Sequence, residues 1–216
     1  YYGPNSGFGR VITALQASGK PLRVGVIGLG AGTTAAYGRD GDLIRFYEIN
    51  PQVVNFAKTY FTYLSDSRAK VEISLGDARL SIERETDEPF DLLAVDAFSG
   101  DSIPTHLLTA EAMDVYFRRL KPDGVLLIHT TNRYLNLPPV VKVLADRRNM
   151  ASSIIEHEPG EEERDQEQSD SDWVIVSRNR KILDAAQLEG AAAEIDPLPG
   201  VNLWTDDYNN LFRILK

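Results

Sequence analysis

The sequence predicts an α/β fold: a mostly parallel sheet with helices on both faces and an antiparallel closing strand. Three observations lead there. Leu22–Thr33 reads L-R-V-G-V-I-G-L-G-A-G-T, an apolar run that ends in glycines at Gly28, Gly30 and Gly32. That is the pattern of a buried parallel strand, a tight turn and the start of a helix. Further strand-like runs alternate with helix-like segments, which implies a parallel sheet layered between helices. Finally, Ser152–Glu156 and Trp173–Ser177 read as an antiparallel pair that closes the sheet.

Each element has its own reason. Tyr1–Gly9 is rich in Gly, Asn and Ser and reads as loop, leading into a helix over Phe8–Ala17. The first strand is Leu22–Ile27, Thr33–Gly38 is helical, and Gly41-Asp42 is a turn. Leu43–Glu48 is the second strand. Asn50 is placed to cap a helix and Pro51 to open it. That helix carries Val53, Val54, Ala57, Tyr60, Phe61 and Leu64 at helical spacing. Lys70–Leu75 alternates as a third strand, and Gly76-Asp77-Ala78 opens a short helix. Phe90–Val95 is a buried fourth strand running into a loop from Asp96 to Pro104. Thr109 starts a helix with Met113, Tyr116, Phe117 and Leu120 on its apolar face. Pro122-Asp123-Gly124 turns into a fifth strand, Val125–His129. Pro138-Pro139 begins a helix to about Arg147, and Leu211–Leu215 reads as a last short helix. Trp173 and Trp204 read as core.

Composition sets bounds. The 216 residues suit one sizeable domain with a real core. No run approaches the ~20 apolar residues of a membrane span. There is no signal-peptide pattern. The chain contains no cysteine, so disulfides and thiolate metal sites are excluded. It starts at Tyr1, which suggests a piece of something longer. Net charge is −9, and Glu156–Asp172 alone holds nine acids and one base. The acidity is therefore local. It argues against a nucleic-acid partner and reads as a solvated hairpin loop between the closing strands.

The chemistry gathers at strand ends, where ligands of such sheets bind. Glycines let the chain turn sharply and let a ligand approach the backbone. A helix N-terminus adds unpaired N–H groups. The spacing is G-x-G-x-G, with Thr33 where a dinucleotide fingerprint would place its third glycine. It is more usual in folds that hold S-adenosylmethionine or a relative. Glu48 ends strand two, twenty positions after Gly28. An acid there can accept hydrogen bonds from ribose hydroxyls, or stand solvated at the strand end. Asp77, with Ala78, can meet an adenine amino group or serve only as a helix cap. Asp96 ends strand four, where it would face the reacting end of a ligand or stabilise an Asx turn. His106, His129 and His157 lack metal-ligand spacing, so no metal is expected. No G-x-S-x-G setting supports a hydrolase triad.

The runs G-L-G-A-G-T, F-Y-E-I-N-P, G-D-A-R-L and V-D-A-F-S-G-D-S-I-P-T-H-L-L-T resemble the polyamine aminopropyltransferases, the spermidine synthases. So does W-T-D-D-Y-N-N-L-F near the end. The sequence is most similar to the spermidine synthase-like domains fused to bacterial multi-spanning membrane regions. The resemblance covers nearly the whole chain but not the family's small N-terminal β-domain. It implies a single domain over residues 1–216 with the Rossmann-like S-adenosylmethionine-dependent methyltransferase fold. The expected sheet has seven strands.

The resemblance also implies roles. Gly28, Gly30 and Gly32 match the turn around the nucleoside, Glu48 the ribose acid, and Asp77 with Ala78 the adenine pair. Asp96 matches the proton-accepting Asp. The implied reaction moves an aminopropyl group from decarboxylated S-adenosylmethionine to a diamine such as putrescine, with no metal. Two acids of the family pattern are replaced, by Ala31 in the glycine turn and by Ser99 three residues after Asp96. Asp101 can stand in for the second. Tyr2 can line the acceptor pocket. Asp206 and Asp207 can reach it from the C-terminal segment or cap the final helix. The Ala31 departure favours S-adenosylmethionine as donor and hence a methyltransferase. Loss of both acids also fits a non-catalytic nucleoside- or polyamine-binding domain. A cytoplasmic location, a membrane region in the full-length protein and a homodimer are compatible with the family.

Overall fold

The computed structural model describes residues 1–97, 104–185 and 188–216. The expected Ser99 and Asp101 lie outside the described residues. Eight strands form one sheet in the order β3-β2-β1-β4-β5-β7-β6-β8. They are β1 (Arg23–Ile27), β2 (Leu43–Glu48), β3 (Lys70–Leu75), β4 (Phe90–Val95), β5 (Leu120–His129), β6 (Ala151–His157), β7 (Ser171–Ser177) and β8 (Ala192–Ala193). The first five pair in parallel. β7 inserts between β5 and β6, antiparallel to both. The expected seven strands become eight because two alanines pair antiparallel with Ile154 and Ile155 of β6. Two residues carry too little pattern to be read in advance.

The helices are α1 (Gly7–Gln16), α2 (Pro51–Tyr60), α3 (Tyr63–Asp66), α4 (Ala78–Arg84), α5 (Ala110–Arg119), α6 (Pro138–Asp146) and α7 (Glu161–Asp165). Alternating strand side chains feed two cores. Leu92 and Ala94 of β4 join Phe8, Val11 and Ile12 of α1 on one face. Leu93 and Val95 join Ile82 of α4, Tyr116 of α5 and Leu144 of α6 on the other. Burial on both faces is why these strands are continuous apolar runs. Both tryptophans are buried, Trp173 and Trp204, as expected of core residues.

Local chemistry sets the element ends. Asn50 caps α2 by accepting from the Gln52 N–H, with Pro51 at the first position. Thr109 caps α5 through the Ala112 N–H. The single helix expected from Pro51 to Leu64 is two, broken where Phe61 turns extended at ψ 154°. The Pro122-Asp123-Gly124 turn is an irregularity inside β5, where its register with β4 shifts between Phe90 and Leu92. Among the described residues no helix is long and apolar enough to cross a membrane.

Candidate functional site

A cavity of about 960 Å³ opens at the carboxyl ends of β1 to β5. Gly28, Gly30, Glu48, Asp77, Ala78 and Asp96 all line it. The strand order explains the convergence. β1 sits between β2 and β4, so the ends of three strands from separate stretches of sequence adjoin.

The glycine turn has three distinct jobs. Gly28 has φ +99°, and a Cβ there would lie 2.4 Å from the Asp96 carbonyl oxygen. A side chain would drive the ends of β1 and β4 apart. Gly30 has φ +53° with no heavy atom within 4 Å of where its Cβ would stand. Backbone there is open to anything that enters the cavity. Gly32 does not line the cavity, contrary to its expected binding role. Its φ is +82°, and the room of its missing side chain is taken by Leu64, 2.8 Å away. The segment that follows, Thr33–Tyr37, is one 3₁₀ stretch rather than an α-helix. The expected helix-terminus contribution is correspondingly small, since so short a stretch aligns few peptide dipoles.

Glu48 is buried. Its Oε2 accepts from the Leu29 N–H at 3.1 Å, and its Oε1 from the Asn50 N–H at 2.8 Å. Each oxygen keeps a second lone pair, so the carboxylate is held in place yet can still accept from hydroxyls. Asp77 caps α4 through the Leu80 N–H at 2.9 Å. Its Oδ2 stands 3.4 Å from His106 Nε2. Asp77 is thus a cap and a cavity residue together. Ala78, the first residue of α4, presents only a methyl group beside it.

Asp96 is held at both carboxylate oxygens by side chains. The Tyr2 hydroxyl donates to its Oδ2 at 2.5 Å. His129 Nδ1 lies 2.7 Å from its Oδ1. Burial first, and then the Asp96 charge, push the Tyr2 phenol well above its ordinary range, so Tyr2 remains a donor. The Tyr37 hydroxyl donates to the Tyr2 carbonyl at 2.6 Å, and burial pushes that phenol up to about 12. Tyr2, an expected acceptor-pocket residue, therefore lies in the cavity and grips the expected base.

His129 was not singled out from the sequence except as a metal ligand to be discounted. It ends β5, lines the cavity and bonds Asp96. Its Nε2 is 2.7 Å from Thr131 Oγ1, and its ring stacks on Trp173 at 4.5 Å. The signal was available. His129 is the one polar residue closing the run V-L-L-I-H, the same station that Glu48 occupies on β2.

Two other expectations change. Asp206 is not among the cavity-lining residues. Arg79 donates to both its oxygens at 2.7 Å, and Thr109 Oγ1 donates at 2.8 Å. Nor does it cap the last helical turn, Leu211–Ile214, whose cap is Asn210. The acidic segment is not simply a solvated loop. It contains α7, and its Arg164, Gln168, Ser169 and Asp170 form one wall of the cavity. Among the described residues no group of three acids or histidines is arranged to hold a metal ion.

No family model matches the chain. It is 32% identical to the polyamine aminopropyltransferase of Vibrio vulnificus over 129 residues, 55% of this chain and 41% of that protein. It is 25% identical to the eEF1A lysine and N-terminal methyltransferase of Danio rerio over 130 residues, 56% of this chain and 19% of that protein. The chain thus spans less than half the length of these curated relatives. Among solved structures, a probable spermidine synthase from Corynebacterium glutamicum superimposes with TM-score 0.59 at 16% identity, over 93% of this chain and 85% of that one. Human methyltransferase-like protein 13 in complex with SAH gives TM-score 0.58 at 18% identity, over 92% of both chains.

This is the Rossmann-like S-adenosylmethionine-dependent methyltransferase fold. Over about half of its length the chain is similar in sequence to a polyamine aminopropyltransferase and to a methyltransferase, two kinds of transferase. The cavity described above stands at the strand ends where such sheets take their ligands.

Proposed function

We propose that the chain is a spermidine synthase-like aminopropyltransferase, moving an aminopropyl group from decarboxylated S-adenosylmethionine to a diamine such as putrescine. One observation carries the reading. Asp96 stands in the cavity with both oxygens gripped, and Glu48 and Asp77 line the same cavity from the ends of β2 and β3. The sequence kinship with a polyamine aminopropyltransferase supports the reaction class. In this reading Gly28 and Gly30 line the nucleoside, Glu48 accepts from the ribose, and Asp77 with Ala78 meets the adenine. Tyr2 and Asp101 serve the acceptor end. The domain belongs to a cytoplasmic enzyme or to the cytoplasmic part of a membrane protein.

The acceptor amine is mostly protonated at neutral pH. A carboxylate must orient it and take up a proton. The neutral nitrogen then attacks the aminopropyl carbon next to sulfur. The C–N bond forms and the C–S bond breaks with its electrons left on sulfur; Asp96 keeps the proton it took from the ammonium, and the product leaves as a secondary ammonium. Sulfonium is already a good leaving group, so positioning supplies much of the acceleration.

A second reading, methyl transfer from S-adenosylmethionine, is favoured by Ala31. That residue removes an acid that would repel the donor's carboxylate. Calorimetric titration with 5′-methylthioadenosine, decarboxylated S-adenosylmethionine and S-adenosylmethionine separates the two. Tighter binding of the decarboxylated donor is expected. Preference for S-adenosylmethionine would transfer the assignment to methyl transfer, and binding of none would overturn both.

A further inference from the structure

We propose that His129 is a positioning residue for Asp96, holding the carboxylate in one orientation toward the acceptor. The inference deepens the proposed function and rests on its placement of the acceptor at Asp96. An aspartate beyond a strand end has two soft side-chain torsions, and small misplacements of a reacting group are costly. Tyr2 fixes one oxygen and His129 the other.

The imidazole is itself over-determined. Trp173 lies nearly parallel beneath it, at an interplanar angle of 11°. Tyr1 meets it edge-on at 5.4 Å. Thr131 Oγ1 accepts from the Asp172 N–H at 2.7 Å and can donate its own hydrogen to His129 Nε2. The Asp96 carboxylate offers only acceptors, so Nδ1 carries a proton aimed at it. Among the described residues the charged groups near the ring include Asp96 and, beyond Thr131, Asp172, while Tyr2 stays neutral. A donor bonded to an ionised acid is stronger than a neutral pair. Each Asp96 oxygen keeps a lone pair for the amine. Glu48 and Asp77 are held instead by backbone N–H groups of Leu29, Asn50 and Leu80, so the contact that His129 makes is with the acid of the acceptor half.

The test compares His129→Leu with His129→Asn, whose amide nitrogen stands close to the lost Nδ1. His129→Leu should lower kcat roughly 100-fold with donor affinity unchanged, and His129→Asn should recover most of the loss. Equal inactivity of the two variants, or equal loss of donor affinity, would overturn the proposal. Nitrogen NMR of the wild-type protein gives a readout that needs neither turnover nor a folded leucine variant. Nδ1 should carry the proton and its resonance should move in Asp96→Asn. Protonation at Nε2 instead, or no response to that substitution, would overturn the role. A wild-type protein that binds donor but transfers nothing would sink the aminopropyltransferase reading while leaving the NMR result to stand.

Discussion

Glu48 and Asp96 are both acids at strand ends, and their neighbours divide the work between them. Glu48 takes backbone N–H groups from Leu29 and Asn50, so it belongs to the turns that build the donor half. Asp96 takes side-chain donors from Tyr2 and His129, which come from the N-terminal segment and the end of β5. Glu48→Ala should therefore weaken nucleoside binding by ~2–4 kcal/mol, the worth of a pair of charge-assisted hydrogen bonds. Calorimetry showing unchanged affinity would remove Glu48 from the site. Asp96→Asn should abolish transfer while leaving donor affinity nearly intact. Collapse of donor binding in that variant would make Asp96 a structural residue. Glu48, Asp77 and Asp96 were legible because each closes an apolar run or opens a helix, a signal held in a few adjacent residues. His129 was harder to read, because its meaning comes from Asp96, Thr131 and Trp173. What the missing side chain of Gly32 makes room for, Leu64, is likewise invisible in the local sequence.

Among the elements, those with a cap and a long apolar pattern agree with the sequence: α2 from Asn50, α5 from Thr109, and β1 to β4. The disagreements fall where tertiary contacts override local pattern. Phe61 leaves the helix that its spacing suggested, and the Pro122-Asp123-Gly124 turn signal is absorbed into β5. The C-terminal segment is tied down by an ion pair that no periodicity shows, Asp206 with Arg79 across the start of α4. Arg79 beside it holds the Asp206 carboxyl below its ordinary range, aided by Thr109. A lowered folded value means the stabilisation is complete above the unfolded value of about 3.9 and is lost as pH falls through the folded one. Asp206→Asn should lower Tm at neutral pH. The gap from wild type should hold steady above about pH 5 and close as the solution is taken below about pH 3. A gap independent of pH would show that the charge on Asp206 contributes nothing.

At the scale of the whole molecule, the layered α/β architecture was legible from the alternation of strand and helix. The two-residue β8 was not. Charge was legible in amount but not in place. The segment carrying nine acids, Glu156–Asp172, borders the cavity instead of trailing into solvent. A concentrated field of one sign beside a cleft raises the encounter rate of oppositely charged ligands and is screened by salt. Association of a diamine should therefore slow as ionic strength rises. Replacing Glu161, Glu162 and Glu167 with glutamine should flatten that dependence in stopped-flow measurements. An unchanged salt slope would mean that the segment does not steer the acceptor.

The two halves of the cavity also differ in the span of chain that closes them. Gly28, Glu48 and Asp77 come together through strands that pair with near neighbours in sequence. The grip on Asp96 joins residues 94 positions apart, and the Trp173 Nε1–H that reaches the Tyr1 carbonyl spans 172. Contacts of such separation bear the greatest loop-closure cost and govern folding speed. During synthesis, residues 23–84 can assemble the donor wall among themselves. Trp173, the platform beneath His129, emerges only after β4 and β5 have been made. The part that would bind is ready long before the part that would react.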